Sequence, residues 1–255
     1  MALLHTEAVS KRFGGVEAVS GLTIAIEAGR ITGLIGPNGA GKTTMVNLIT
    51  GLLGATSGRI IFRGDDITNL TAQQVARRGV ARTFQNIRLL KEASVLDNVI
   101  VGFHSRETTS LFDNLLGLPS ARNERKKFIE AARGLIKRFG MDQYANNLAG
   151  GLSYGHQRRV EMMRALAMDP ALLLLDEPVA GMNDVEADEL GVIFRALADS
   201  GIAVLLIEHN MRFVMSHCEH IYVVNAGRLI ASGTPESVGS DPTVIEAYLG
   251  SAASA

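Results

Sequence analysis

The sequence predicts an α/β protein with a mainly parallel core sheet, an N-terminal antiparallel β-subdomain and an inserted helical subdomain. Continuous apolar runs are typical of parallel strands covered on both faces, and they occur at residues 172–175, 203–207 and 221–224. Shorter alternating segments at residues 22–26 and 59–62 favour antiparallel pairing near the N-terminus. The apolar spacing is mostly helical between about residues 87 and 166.

The composition suits a globular protein of one large domain. The chain has 255 residues, of which 47% are hydrophobic, and this supports a sizeable core. We expect a single domain over residues 1–255, since no low-complexity linker interrupts it. The core and β-subdomain should take up about residues 1–86 and 167–255, and the helical subdomain about residues 87–166.

A glycine-rich loop follows the apolar strand at residues 31–35 and precedes a helical segment at residues 45–49. It fits the pattern G-x-x-x-x-G-K-[ST] without a mismatch. The glycines allow successive backbone N–H groups to face inward around phosphate oxygens, and the following helix adds its positive N-terminal end. The predicted phosphate-binding residues are Gly36, Pro37, Asn38, Gly39, Ala40, Gly41, Lys42, Thr43 and Thr44.

Two side chains of this loop predict a nucleoside triphosphate with Mg²⁺. Lys42 brings a full charge to the β- and γ-phosphates, and the Thr43 hydroxyl can ligate the metal. A dinucleotide fold is disfavoured because its fingerprint, G-x-G-x-x-G, places the glycines differently.

An acidic pair follows four consecutive leucines at residues 172–175. Asp176 and Glu177 should therefore lie at the carboxyl edge of a buried strand, where open α/β sheets bind their ligands. Asp176 suits the coordination sphere of Mg²⁺, directly or through water. Glu177 is placed to orient and polarise the water that attacks the γ-phosphate.

A second helix start that is suited to anions lies at residues 152–159, where Ser153 is a plausible N-cap. Its presence suggests a nucleotide held between the loop of one subunit and this helix start of another. Another cap is expected at Thr71, with Gln74 three residues on, for a helix that runs to Arg78 and stops at Gly79.

Charge and cysteine content exclude several classes. A formal net charge of −1 lacks the basic excess of a dedicated nucleic-acid binder, so we expect no nucleic-acid partner. The single Cys218 cannot form an internal disulfide, and the chain opens without a signal peptide, which favours the cytosol. The residues 217–220 fit no familiar zinc spacing, and a metal site is not expected there.

These motifs resemble, in order and over nearly the whole length, the ATP-binding subunit of an ABC transporter, a P-loop NTPase of ABC ATPase type. The resemblance implies adenine stacking for Phe13, Mg²⁺ and attacking-water contacts for Gln85, and a γ-phosphate hydrogen bond for His209. It further implies a signature segment at residues 152–156, with Ser153 and Gly155 contacting ATP. The catalytic set would be Glu177, His209, Gln85 and Lys42, and the metal set Thr43, Gln85 and Asp176.

Three positions depart from the family pattern. Tyr154 replaces the first signature glycine, His156 replaces the glutamine, and Asn183 stands where the segment after the acidic pair usually has aspartate. These changes affect the half-site that this chain would lend to a partner. We therefore expect an asymmetric heterodimer with two unequal nucleotide sites, although a homodimer remains open.

The finer resemblance is to the subfamily that energises branched-chain amino acid uptake in bacteria. It is carried by the Ala-Arg-Thr-Phe-Gln-Asn sequence at residues 81–86, the longer insert at residues 104–128, the tyrosine-containing signature and the segments at residues 206–211, 222–227, 233–235 and 245–250. It implies a second ATP-binding subunit, two membrane permeases, a solute-binding protein that acts indirectly, and a peripheral position on the cytoplasmic face of the bacterial inner membrane. Arg88, Leu89 and Leu90 could meet a permease, or pack within the insert.

Three other functions stay open at this point. Urea or amide uptake would use the same ATP-binding subunit, because the partner proteins contact the solute. A soluble, non-transport ABC ATPase would share every catalytic motif. A phosphate-loop kinase leaves the segment at residues 152–156 unexplained.

Overall fold

The computed structural model describes residues 2–83, 87–107, 109 and 118–252. Contacts between backbone positions divide the chain into two compact units. The first comprises Met1–Arg82, Ala171–Ala180 and Asp184–Ala255, and the second comprises Thr83–Pro170 and Gly181–Asn183. The expected nucleotide-binding loop and acidic pair both belong to the first unit.

Within the described part of the chain, the strands all belong to the first unit. In chain order they are β1 (Ala2–Phe13), β2 (Val16–Leu22), β3 (Ala25–Glu27), β4 (Ile31–Ile35), β5 (Ser57–Phe62), β6 (Asp65–Asp66), β7 (Val80–Arg82), β8 (Leu172–Asp176), β9 (Ala203–Ile207), β10 (His220–Asn225) and β11 (Arg228–Gly233). The helices are α1 (Lys42–Ile49), α2 (Ala72–Arg77), α3 (Val95–Gly102), α4 (Pro119–Arg138), α5 (Tyr154–Leu166), α6 (Asp184–Asp199), α7 (Met211–His217), α8 (Pro235–Gly239) and α9 (Pro242–Ala252).

The strands form two sheets. One is antiparallel, in the order β2–β1–β5–β6 with β3 also paired to β1. The other has the order β11–β10–β4–β9–β8–β7 and is parallel except for the β10–β11 hairpin. The predicted α/β fold with both kinds of sheet is therefore confirmed. The alternating segment at residues 22–26 was expected as one strand, but Thr23 and Ile24 separate β2 from β3.

The parallel sheet carries the deepest part of the core. Every residue of β4, β8 and β9 is buried, as expected for strands covered on both faces. Because the three strands are parallel, their carboxyl ends lie at one edge of the sheet. That edge carries the glycine-rich loop after β4, the acidic pair at the end of β8 and the His209 segment after β9.

The short helix α2 starts as the sequence predicts. The Thr71 hydroxyl accepts a hydrogen bond from the Gln74 amide, and the Gln74 side chain accepts one from the Thr71 amide. The helix ends at Arg77, with Arg78 as its cap and Gly79 in the left-handed conformation at φ +99°.

The second unit contains α3, α4 and α5. Phe103 and Phe128 stack with ring centroids 5.1 Å apart, which joins the end of α3 to α4. Helix α4 begins at Pro119, and proline is favourable in the first turn of a helix. Within the residues described, no helix combines the length and apolar character needed to cross a membrane.

Candidate functional site

The loop after β4 can be formed only by glycine at two positions. A Cβ on Gly36, at φ +153°, would overlap the Val224 carbonyl oxygen, and one on Gly41, at φ +100°, would overlap the Ala18 carbonyl oxygen. The loop is therefore pressed against β10 on one side and β2 on the other. Close backbone approach at these two glycines restricts the path of the loop.

Helix α1 begins with open donors. Its cap is Gly41, which has no side chain to satisfy the first N–H groups. Those groups and the positive end of the helix face the point at which the glycine-rich loop turns. This is the arrangement expected for a phosphate site.

Lys42 is held back on its own loop. Its ammonium donates to the Gly36 carbonyl at 2.6 Å and to the Pro37 carbonyl at 3.0 Å, and the residue is 9% exposed. Burial lowers the pKa of Lys42, while the nearby charges of Glu177 and Asp176 raise it. A phosphate would offer this ammonium stronger acceptors than the two carbonyls do.

Asp176 ends strand β8 and is bound by an arginine that the sequence did not single out. The Arg82 guanidinium lies 2.7 Å from the Asp176 carboxylate, and the two side chains are 10% and 5% exposed. Arg82 also donates to the Asn47 side-chain oxygen in α1 at 2.5 Å. The guanidinium thus connects the ends of two neighbouring strands to the helix that follows the loop.

Glu177 takes up an uncommon backbone conformation. Its φ is +48°, in the left-handed region that residues other than glycine seldom adopt, and its amide donates to the Ile207 carbonyl at 2.9 Å. A carboxylate oxygen of Glu177 lies 3.5 Å from Nδ1 of His209. The turn after β8 therefore presents Glu177 to the histidine that follows β9.

The buried Glu208 side chain stabilises this turn by accepting hydrogen bonds from backbone amides. Its carboxylate accepts hydrogen bonds from the Val179 amide at 3.1 Å, the His209 amide at 3.2 Å and the Asn210 amide at 3.5 Å. The residue is 1% exposed, and burial raises its pKa although these hydrogen bonds oppose the rise. One buried carboxylate thus ties the segment after Glu177 to the segment that carries His209.

The oxygen atoms in this region suit magnesium. The Thr43 hydroxyl, in the first turn of α1, and the Asp176 carboxylate are hard oxygen ligands of the kind that Mg²⁺ prefers. Asp176 is buried, so a cation that binds it would lie in a region of low dielectric. Gln85, the other expected ligand and a proposed catalytic residue, lies outside the described residues.

Phe13 lies at the end of β1, where it pairs with Val16 of β2. Its side chain is 47% exposed, and the Lys11 ammonium lies 5.2 Å from the ring centroid. An exposed ring at this position is free to stack on a base. The same β-hairpin packs its Ala18 against Gly41 of the loop.

The signature segment lies in the second unit. The Ser153 hydroxyl caps α5 by accepting from the His156 amide at 3.4 Å, and Gly155 belongs to the first turn. The Tyr154 ring is 46% exposed and lies 5.5 Å from the Arg158 guanidinium. The His156 ring contacts that of Tyr144, with centroids 4.5 Å apart.

The C-terminal helix also touches the loop. Pro37 and Asn38 line one cavity with Thr243, Glu246 and Ala247 of α9. Burial raises the pKa of Tyr248, in the same helix, to about 12, and the nearby Gly36 backbone opposes the rise. No pattern in the sequence indicates that α9 lies beside the loop. Arg82, Glu208 and Asn47 were likewise missed, because each acts through a neighbour distant in sequence.

Family models match two parts of the chain. The model described as ABC transporter matches residues 19–180, which include the glycine-rich loop, Asp176 and Glu177. The model described as branched-chain amino acid ATP-binding cassette transporter matches residues 228–254, which include β11 and α9.

Curated relatives match over almost the whole chain. The high-affinity branched-chain amino acid transport ATP-binding protein BraF of Pseudomonas aeruginosa is 41% identical over 251 residues, which cover 98% of each protein. The corresponding protein LivG of Escherichia coli K12 is 43% identical over 251 residues, again 98% of each.

Solved structures agree in fold. The ADP conformation of an ATP-binding cassette of an ABC transporter matches with a TM-score of 0.86 and 35% identity, covering 98% of this chain and 99% of that one. A nucleotide-free ATP-binding cassette matches with a TM-score of 0.85 and 35% identity, covering 97% and 99%.

Proposed function

Because this chain belongs to the ABC transporter family and is an ATP-binding cassette ATPase, we propose that it energises the uptake of branched-chain amino acids in a bacterial importer. The substrate is proposed because BraF and LivG are branched-chain amino acid transport ATP-binding proteins and because the family model for such transporters matches residues 228–254.

One observation carries the assignment of the reaction. The phosphate-binding loop, the Asp176–Arg82 ion pair and the Glu177–His209 pair all belong to the carboxyl edge of one parallel sheet. This edge therefore offers a cationic phosphate site beside an acid and a histidine that lie close together. Such a site suits transfer of the γ-phosphate to water.

We assign the steps of hydrolysis to particular groups. The loop amides and Lys42 bind the β- and γ-phosphates of ATP, and Phe13 stacks on adenine. Glu177 orients the attacking water and accepts its proton, and His209 donates a hydrogen bond to the γ-phosphate. Thr43 and Asp176, with Gln85, would hold Mg²⁺, which neutralises charge on the phosphates when it is bound.

A second ATP-binding subunit completes the site in this proposal. Ser153 caps α5 and leaves the positive end of that helix available for the γ-phosphate of a nucleotide held by the partner. ATP draws the two subunits together and hydrolysis lets them part. Since Tyr154, His156 and Asn183 alter the half-site that this chain lends, we propose a heterodimer whose two sites turn over at unequal rates.

Leu90 is the proposed contact with a membrane permease. Its side chain is 53% exposed, while its backbone is held on both sides by the buried Asn98. The Leu90 amide donates to the Asn98 side-chain oxygen at 2.9 Å, and the Asn98 amide donates to the Leu90 carbonyl at 3.0 Å. A fixed backbone that presents an exposed leucine suits a protein contact. Arg88 and Leu89 precede it in the same segment.

The experiment is to isolate the complex from bacterial membranes through a tag on this chain and to identify its subunits by mass spectrometry. We expect two permeases and a second ATP-binding subunit at the cytoplasmic face. The complex should then be reconstituted in vesicles with the solute-binding protein, and uptake of labelled leucine, urea and an amide should be compared.

The outcomes separate the alternatives. ATP-dependent leucine uptake that is lost in Glu177→Gln supports the proposal. Uptake of urea or an amide in place of leucine corrects the substrate, and co-purification with soluble partners only would indicate a non-transport ABC ATPase. Equal turnover at both nucleotide sites would contradict the asymmetric dimer.

A further inference from the structure

Arg82 and Asp176 form the most buried ion pair at the sheet edge described above. Arg82 ends β7 and Asp176 ends the neighbouring parallel strand β8, with Arg82 in register with Leu174. The guanidinium and carboxylate are 2.7 Å apart, and both side chains are at least nine-tenths buried. The pairing of β7 with β8 therefore places the two charges next to each other.

The second arm of the guanidinium fixes its orientation. It donates to the side-chain oxygen of Asn47, which lies in α1 behind the phosphate loop. A planar guanidinium with two such partners has little rotational freedom. Arg82 thereby links the Asp176 carboxylate to α1, the helix that begins with Lys42 and Thr43.

The position of Lys42 makes Arg82 the nearer cation for Asp176. The Lys42 ammonium donates to the carbonyls of Gly36 and Pro37, whereas Arg82 contacts a carboxylate oxygen of Asp176 directly. A buried carboxylate requires a compensating charge, and here the guanidinium supplies it. Magnesium, which would also bind Asp176, meets a carboxylate whose charge is already partly balanced.

We propose that Arg82 is a positioning residue that limits how much magnesium strengthens nucleotide binding. The ion pair holds the Asp176 carboxylate in place and reduces its attraction for a second cation. This inference rests on the proposed function, because it requires that the loop binds ATP. It adds a residue that lies three positions before Gln85 in the sequence.

The test compares nucleotide affinity with and without magnesium. Isothermal titration calorimetry with a non-hydrolysable ATP analogue gives the dissociation constant in excess Mg²⁺ and in a chelator. The quantity of interest is the ratio of the constant without magnesium to the constant with it. The variants are Arg82→Met and Arg82→Gln, which remove the charge, and Arg82→Lys, which keeps it.

We expect the ratio to rise about tenfold in Arg82→Met and Arg82→Gln, because an uncompensated Asp176 attracts the metal more strongly. Arg82→Lys should stay within about threefold of the unaltered protein, since its ammonium retains the charge although it lacks the planar geometry. Arg59→Met is the matched control. It removes an arginine from an ion pair with Glu7 whose partners are 63% and 45% exposed.

The outcomes are distinct. A ratio that is unchanged or lower in whichever charge-removing variant folds would overturn the inference and leave Arg82 a purely structural contact. Should both of these variants fail to fold, the same ratio is measured in Arg82→Met combined with Asn47→Leu, which removes the unpaired Asn47 amide as well as the charge, and the same rise of about tenfold is expected. An unchanged ratio there also overturns the inference. Failure of the unaltered protein to bind the analogue at all would instead reject the proposed ATP site.

Discussion

A carboxylate oxygen of Glu177 lies 3.5 Å from Nδ1 of His209, although the two residues follow different strands. At this separation Glu177 can contact the attacking water while His209 contacts the γ-phosphate, because the two groups would lie side by side. Since Glu177 also has a left-handed backbone, its direction is set by the turn after β8 and not by rotamer choice alone.

We predict that Glu177→Gln retains ATP binding and loses turnover. The amide cannot accept the proton of the attacking water, so hydrolysis should fall at least about 100-fold. Steady-state ATPase assays would measure the loss of turnover. Light scattering would detect the ATP-dependent dimers, which should persist because ATP still binds. The exposed Glu130→Gln serves as the control, and hydrolysis near the normal rate in Glu177→Gln would remove this residue from the proposed role of base.

Lys42→Ala should instead weaken nucleotide binding itself. Its ammonium is already partly desolvated and lies on the loop carbonyls, so its transfer to phosphate should carry a small additional desolvation cost. We expect an affinity loss of about tenfold or more, measured by calorimetry. Lys137→Ala, on the exposed face of α4, should bind normally. Equal affinity in Lys42→Ala and the control would contradict the assigned phosphate contact.

Glu208→Gln should reduce turnover with little effect on ATP affinity. Three backbone amides from Val179, His209 and Asn210 point at the carboxylate, and a glutamine amide offers one acceptor oxygen in place of two. Loss of one of these hydrogen bonds should displace the segment that follows Glu177 or the segment that carries His209. We therefore expect kcat to fall about tenfold while KM stays within about twofold. Glu27→Gln, which breaks an exposed pair with Arg30, is the control. A loss of ATP affinity without loss of kcat would refute this role.

The effect of Gly191→Ala on the free energy of unfolding should depend on whether His217 is present. A Cβ on Gly191 in α6 would overlap the His217 imidazole at the end of α7. Gly191→Ala should therefore cost about 1–3 kcal/mol of unfolding free energy, as overpacking does. In a His217→Ala background the same change should stabilise by about 1 kcal/mol, because alanine favours the helix. Denaturant unfolding of the four proteins gives both values, and equal effects in the two backgrounds would contradict the contact.

His217 should also make stability depend on pH. Burial lowers its pKa below the ordinary value of 6.5, an effect that Arg195 and Arg212 reinforce and Asp188 opposes. The unfolded chain then binds more protons than the folded one just below pH 6.5, so stability falls as the pH falls through that range.

Thermal unfolding between pH 7.5 and pH 5.5 would check this behaviour. His217→Gln should flatten the decline, because the neutral amide does not titrate. A decline of equal slope in both proteins would assign it to other groups.

The sequence was sufficient to predict the local structure around the candidate site. The glycine-rich loop, the cap at Thr71 and the two acids after four leucines are written in consecutive residues, so pattern and spacing were sufficient. The boundary between β2 and β3 was missed, because the alternation at residues 22–26 continues through the break. The roles assigned to the glycine-rich loop, Asp176, Glu177 and His209 stay predictions, as do those of Phe13, Gln85, Ser153 and Gly155.

The contacts between distant residues were not predictable in this way. Arg82 meets Asp176 because β7 lies beside β8, and that neighbour relation depends on the strand order. Glu208 reaches Val179 because β9 and β8 are adjacent and end at the same edge. Neither pair has a characteristic spacing in the sequence, so only the folded sheet reveals it.

Helix α9, near the end of the chain, lies beside the nucleotide-binding loop, because Pro37 and Asn38 line one cavity with Thr243, Glu246 and Ala247. A shortened protein that stops before α9 would keep the loop, the acidic pair and the histidine, yet it would expose the loop on the side where α9 lies. Affinity tags for biochemistry therefore belong at the N-terminus. Proteolytic removal of the last helix would lower the affinity for ATP although every motif is still intact.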